Sequence, residues 1–554
     1  MNGGGKVTSL LASRQTPVMT MSRGDEEDGP ILRHHQRYGA TEAPEQGSVE
    51  SGRGAEDDVI EGVAMIPSYR LLVALIAQLG LVGSFASQSI MGASLLTMVG
   101  NVTNATSDTQ WHYPWDTKTQ TWILAVFFSG YYVIQIPAGL MTHRVGGKRV
   151  AVWGAVSLAV LQGVSIYVPR FGPSPFLVTM ALAGVANGCM YVPLLDVLAR
   201  WVPPQESSTL VNLAVSGVGI GIAFVYGLSA FTSELQLFGG WPFNFMALGV
   251  LLLVFAVLLW VLVSDKPEQC AFISAKERHY IISSQKRHNP ANQSSNVTGY
   301  CGVPWRQIVT SGPVLAIAAS QFGTDWIQYF FMTLFPLYLK HARGMHTATA
   351  DMLAGLPWLG FPICGFVTSR TVDTIRQKNV ISTTKLRKIA DGFAKVVPML
   401  QLVCMVCLPD GQVAALSVLE VLCIVLMSLE GSSWVANIVD ITSQYAGFVS
   451  SVAQVLSLPG SILLPLLVQF MTPHNTSEEW QHCILAMLAI VTISYLVYVM
   501  LASSEPQTWE VKDPKVKDAT FKDTEVKDAK PLLSNGSNRE ESSNEVLRVS
   551  SDQG

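Results

Sequence analysis

The sequence predicts an all-α membrane protein, with twelve transmembrane helices in two six-helix bundles. Three observations predict it. The 554 residues are 49% hydrophobic and only 14% charged, with a mean hydropathy of +0.34, whereas soluble domains carry about a quarter charged residues. The apolar residues arrive in blocks of roughly twenty, the length a helix needs to cross a bilayer core. A polar stretch near the middle divides these blocks six and six. The formal net charge of −4 gives no indication of a nucleic-acid partner.

Residues 1–66 are rich in Gly, Arg, Glu, Asp and Ser, without a periodic apolar face, and are expected to form a disordered cytoplasmic N-terminus. No apolar h-region lies near Met1, so the first span is expected to direct insertion. The first bundle, 67–263, holds Leu71–Val99, Trp122–Met141, Val150–Val168, Pro175–Leu198, Leu210–Phe231 and Pro242–Val263. Residues 264–307 form a polar cytoplasmic linker. The second bundle, 308–503, holds Val314–Leu339, Met352–Val372, Phe393–Leu408, Val413–Val435, Gly447–Met471 and His482–Leu501. Residues 504–554 repeat Val-Lys-Asp in a charged tail expected to be disordered and cytoplasmic. Six spans on each side of a linker, with a solute site between the two bundles, is the layout of the major facilitator fold. Cys404 and Cys407 make a CxxC inside an apolar span, where small packing residues are the expectation rather than a metal or redox site.

Sidedness follows from the basic bias of short loops. The tight turn His143-Arg144-Val145-Gly146-Gly147-Lys148-Arg149 is joined by Arg200, Lys266, Arg278, Arg376 and Arg387 on one side, against Lys118, Arg170, Lys340 and Arg343 on the other. Both termini are then cytoplasmic. The sequons at Asn101, Asn104 and Asn475 fall in outer loops and are expected to be glycosylated; those at Asn292 and Asn296 fall inside and are not. In the tail, Asp528 stands four residues before Leu532-Leu533, a form read by clathrin adaptors that sort cargo to endosomes and lysosomes. A chance match in a charged tail is the alternative. Endolysosomal or vesicular membrane is expected, with the plasma membrane as the competing location.

Trp115-Asp116, then Phe127-Phe-Ser-Gly-Tyr131 and Gln135-Ile-Pro-Ala-Gly139, then the basic glycine turn, resemble the organic anion and phosphate transporter family that includes sialin and the vesicular glutamate transporters. Trp201-Val-Pro-Pro-Gln-Glu206, Leu334-Phe-Pro336, Asn437-Ile-Val-Asp440, Tyr445-Ala-Gly447 and Leu458-Pro-Gly460 are similar to further motifs of that family, over about residues 68 to 510. The resemblance implies a secondary carrier of small organic anions or phosphate. It also implies that the turn, with Gly139, Arg144, Gly146, Gly147, Lys148 and Arg149, gates the transport cycle; basic charge that serves only to keep the loop inside is the alternative. The sequence departs from the family where charge is expected. The first helix carries Gln88 in place of an arginine stretch, and the fourth carries Met180, Ala183 and Asn187 where arginine and two glutamates are usual. Positions three and four apart share a helix face, so that face presents a thioether, a methyl and an amide.

Ionisable groups inside a bilayer are costly and usually face a cavity. Asp325, with Gln328 and Tyr329 on its face, lies mid-span, where desolvation penalises the charged carboxyl and suits it to bind a proton. A purely structural acid is the alternative. On the proton reading, Asp325→Asn abolishes pH-driven uptake. Glu420 and Glu430 lie on different faces of one span, each either a cavity residue or a structural partner. Gln88, Gln135, Asn187 and Gln454 are mid-span amides, able to bind a polar solute or to join helices. Trp122, Trp358 and Trp434 are expected to be interface anchors. Asp196 is expected to pair with Arg200, and Asp196 and Asp440 are the acids most suited to meet the basic turn in one conformation, with Arg387 and Lys388 as its second-half counterpart.

No phosphate loop, HExxH or nucleophile triad is present, so neither an enzyme nor an ATP-driven pump is indicated, and no cofactor or metal is implied. The partners expected are a small-molecule solute, H+ or Na+ as coupling ion, and the lipid bilayer. Two other readings stay open: a carrier retuned to a neutral or zwitterionic solute, and a non-transporting sensor that keeps the fold.

Overall fold

A computed structural model describes residues 68–99, 112–203, 206–235, 240–288, 304–378, 380–409, 412–442, 445–507 and 509. The sequons at Asn101, Asn104, Asn292 and Asn296 and the tail residues Asp528, Leu532 and Leu533 lie outside these. The described chain is helical nearly throughout. A first group comprises α1 Tyr69–Val99, α2 Thr117–Val145, α3 Gly147–Ser165, α4 Pro173–Trp201, α5 Ser207–Val215, α6 Gly217–Leu235 and α7 Trp241–Leu262. After α8 (Ala275–His288), a second group comprises α9 Gly312–Tyr329, α10 Phe335–His341, α11 Thr347–Gly355, α12 Gly360–Gln377, α13 Thr383–Cys407, α14 Val413–Met427, α15 Trp434–Ile441, α16 Ala446–Met471 and α17 Ser477–Leu501.

Nine helical runs among the described residues are long and apolar enough to cross a membrane. Helices α2, α3 and α9 occupy the places of the other three expected spans and carry more polar residues. Leu253, Val257 and Val261 of α7 point outward, as lipid-facing side chains do. The main boundary difference is α13, which begins ten residues before the Phe393 expected from apolarity. Its first turns bury Arg387 and Asp391, so Arg387, expected in a loop, stands inside the helical group.

Local chemistry explains the entries and breaks. Asp116 caps α2 by accepting from Thr119 N at 3.2 Å, and the bond with Thr119 holds its carboxyl below the ordinary carboxylate range. Close approach of α2 and α4 requires Gly130 and Gly184, because a Cβ on either would strike backbone of the other helix. Pro336 cannot donate to Met332 O, and the chain forms a π-turn over Phe330–Leu334 just before it. A second break, a 3₁₀ turn over Ser428–Ser432, separates α14 from α15.

At the end bearing the 143–149 turn, Arg70 is fully buried between Glu206 (2.6 Å) and Glu277 (3.5 Å). Glu277 of α8 also accepts from the first amides of α1, Tyr69 N and Arg70 N, each at 3.0 Å. The stretch expected as plain linker therefore supplies the cap of the first long helix.

Candidate functional site

A cavity of about 570 Å³ lies between the two groups. Its lining runs from Gln88, Tyr132 and Asp325 in mid-helix to Asp373, Arg387 and Ile438 near the basic end. The opposite end, where Asn475 lies, is closed by contacts between the groups. Tyr226 OH donates to Met332 O at 2.5 Å, using the carbonyl that Pro336 leaves without its helical amide. Tyr329 OH donates to Leu124 O at 3.1 Å. Ser229 Oγ lies 2.8 Å from Asp351 Oδ2 and 2.9 Å from Ala93 O. At the basic end, among the described residues, an exposed hydrogen bond joins the groups, Arg370 Nη2 to Thr209 Oγ1 at 3.3 Å.

The two walls differ. From the first group come Phe85, Gln88, Phe128, Tyr131, Tyr132 and Tyr191. From the second come Gln321, Asp325 and Gln328, spaced one turn apart on α9, and Glu430 at the helix break. Asp325 is half-buried with its carboxylate on the cavity, and Tyr132 OH donates to its Oδ2 at 3.3 Å. Glu430 Oε1 is 3.2 Å from Lys395 Nζ, which also donates to Thr324 Oγ1 at 2.5 Å. Lys395 is fully buried, and Asp391, one turn before it, lies 3.8 Å away. Asp391 Oδ1 accepts from Ser320 and Ser433 hydroxyls at 2.6 and 3.2 Å. Irregular backbone inside a membrane is tolerated where it lines a cavity, and the break at Glu430 does so.

Among the sequence candidates, Gln88, Asp325, Gln328, Tyr329 and Glu430 therefore meet in one cavity, with Gln454. Asn187 does not line it. Its Nδ2 donates to Ser84 O at 3.3 Å, joining α4 to α1, and Met180 and Ala183 are buried in helix contacts beside it. Glu420 is fully buried away from the cavity, with neither oxygen hydrogen-bonded. Gln135 is buried outside the cavity lining, as is Trp358, which replaces its expected interface position with a place at the break between α11 and α12. Trp434 lines the cavity rather than a membrane interface, and Trp122 is exposed.

The basic turn is held by an acid that sequence reasoning did not single out. Asp265, just past α7, accepts from Lys148 N at 2.8 Å, and Gly146 sits over it at φ +101°, a conformation that favours glycine. A Cβ there would come 2.6 Å from Asp265 Oδ2. Arg144 and Arg149 are exposed, and Gly139 has open space around it. Asp196 pairs with Arg200 at 2.6 Å while lying against Gly147. Asp440 takes Arg387 at 2.8 Å and Arg376 at 3.1 Å. In this conformation both expected acids thus hold partners outside the turn. Asn475 stands half-exposed at φ +55°, just before the capping box of α17.

Lys395 and Asp391 were the chief omissions. The signal was available as the lone lysine of an apolar span with an aspartate four residues before it.

A family model described as the Major Facilitator Superfamily matches residues 72–393. Sialin of Homo sapiens is 29% identical over 402 residues, covering 72% of this chain and 79% of that protein. Vesicular glutamate transporter 2.1 of Danio rerio is 28% identical over 462 residues, covering 81% and 76%. Among solved structures, a bacterial homolog to human lysosomal transporter Spinster, inward-facing and unoccupied, matches with a TM-score of 0.57 at 12% identity, over 80% of this chain and 98% of that one. A peptide transporter in complex with sulfate gives 0.57 at 13%, over 82% and 99%. These structural matches establish the fold.

Proposed function

This chain belongs to the Major Facilitator Superfamily, and we propose that it is a secondary active carrier of a small carboxylate-bearing organic solute. It works by alternating access, and here its cavity is reached from the basic, cytoplasmic end. Its relatives are transporters, not enzymes. The observation that carries the proposal is the mid-helix cavity, closed at one end by the Tyr226, Tyr329 and Ser229 contacts and lined by polar groups up to the other. Alternating access needs such a closure to exchange ends.

Glu430 is the proposed proton site, rather than Asp325 alone, because it is bonded to a cation that has a second acid to turn to. Protonation of Glu430 dissolves its pair with Lys395 and shifts Lys395 toward Asp391, 3.8 Å away. Proton occupancy is thereby linked to a local rearrangement at the helix break. The turn at 143–149 and the Arg387–Asp440 pair are the proposed gating elements at the basic end. The name of the vesicular glutamate transporters supports a vesicular membrane; an endolysosomal or vesicular location with both termini cytoplasmic is our reading from the tail motif and the basic loops, and changing Leu532 and Leu533 to Ala should then move the protein to the cell surface.

A zwitterionic solute is a second reading, favoured by the acidic balance of the lining over the described residues. The test is uptake into proteoliposomes under a pH jump, with sialate, glutamate, phosphate, nucleotides and neutral sugars. Saturable, gradient-accelerated uptake of a carboxylate is expected. Binding without uptake of any of them would instead identify a sensor.

A further inference from the structure

The cavity wall has a net sign. Among its described lining residues, the carboxylates are Asp325, Asp373 and Glu430, and the cation is Arg387. That guanidinium is already held by Asp440 at 2.8 Å and by Ser432 O at 2.6 Å. Lys395 answers Glu430 from behind the wall at 3.2 Å, whereas among the described residues no ion pair reaches Asp325. A bare anion entering here would meet carboxylates in a poorly screened space without an uncommitted cation on the lining.

Two buried amides point to what would enter instead. Gln321, one turn before Asp325 on the same face of α9, is 7% exposed and its Oε1 lacks a hydrogen-bond partner. Gln88, on the opposite group, is 6% exposed and its Nε2 lacks one. Both line the cavity, and a buried polar atom left unsatisfied is costly. The first is an acceptor and the second a donor. Phe128, Tyr131, Tyr132 and Tyr191 line the same cavity. Aromatic faces attract cations, and a carboxylate with a spare amide oxygen completes a set of acceptors for N–H donors.

We propose that the cavity binds the ammonium group of a zwitterionic, amino-acid-like solute. Asp325 is its counter-ion and Gln321 its second acceptor, while Gln88 donates to the solute's carboxyl group. This deepens, and rests on, the carrier reading. Its discriminating feature is preference for an amine over the same acid without one.

The test uses the purified full-length chain and two matched pairs, glutamate with glutarate and γ-aminobutyrate with butyrate, with binding followed by tryptophan fluorescence. The aminated member of each pair should bind about tenfold more tightly, as a charge-assisted contact requires. Asp325→Asn should abolish that preference; Gln321→Leu, which removes no charge, should reduce it if the aspartate variant fails to fold. Gln88→Leu should weaken both members alike. Equal binding within each pair, or none by the aminated members, overturns the ammonium site. Counterflow in proteoliposomes separates the two proposals. Entry of glutarate with exclusion of glutamate leaves the carrier and removes the ammonium site. Amine-selective binding without counterflow of any probe leaves the site and removes the carrier.

Discussion

The first helical group offers the cavity phenols, amides and apolar rings, whereas the second offers three carboxylates on the wall and a lysine–aspartate pair behind it. The first is drawn together by glycines at the α2–α4 contact. The second carries the π-turn beside Tyr329 and the 3₁₀ break at Glu430, and its titratable groups stand next to them. Rigid packing and ionic chemistry have been divided between the two sides of one site. The fourth-helix face, which the resemblance implies should be charged, belongs to the packed side here, with Met180, Ala183 and Asn187 all buried away from the cavity.

The largest effect should come from removing the fully buried lysine of the second group. Lys395→Met leaves the fully buried Asp391 and the half-buried Glu430 without it, and breaking a buried pair costs ~3–5 kcal/mol. Thermal unfolding in detergent should show the loss, and adding Glu430→Gln should recover much of it. A similar loss in the double variant would mean that the lysine acts by packing alone. A smaller change should follow at the closed end, where Tyr226→Phe removes the bond to Met332 O. A net loss of about 1 kcal/mol shifts the conformational balance roughly fivefold toward opening there. Accessibility of a cysteine introduced near Asn475 would report it. The first group should respond least. Asn187→Ala breaks a helix–helix bond worth about 0.6 kcal/mol and should leave solute binding within twofold. A large binding defect would return that face to the site.

Much of this architecture was legible in sequence because apolar length and motif order are one-dimensional. Asp325, Gln328 and Glu430 could be singled out because a mid-span polar group already implies a cavity or a partner. Other features needed three dimensions. Asp265 holds a turn 117 positions away in the chain, and Arg387 looked like a loop charge until α13 proved to begin at Thr383. The assignment of Asn187 to helix packing required knowing which face of α4 meets α1. Hydropathy records how much charge a span carries, not which neighbour answers it.

The most direct test is proton movement on solute addition, followed with a pH-sensitive dye inside proteoliposomes bearing wild-type chain or Glu430→Gln. Solute-dependent proton flux is expected in the wild type and none in the variant, with solute counterflow retained by both. Undiminished solute-dependent proton flux in Glu430→Gln would contradict Glu430 as the proton site.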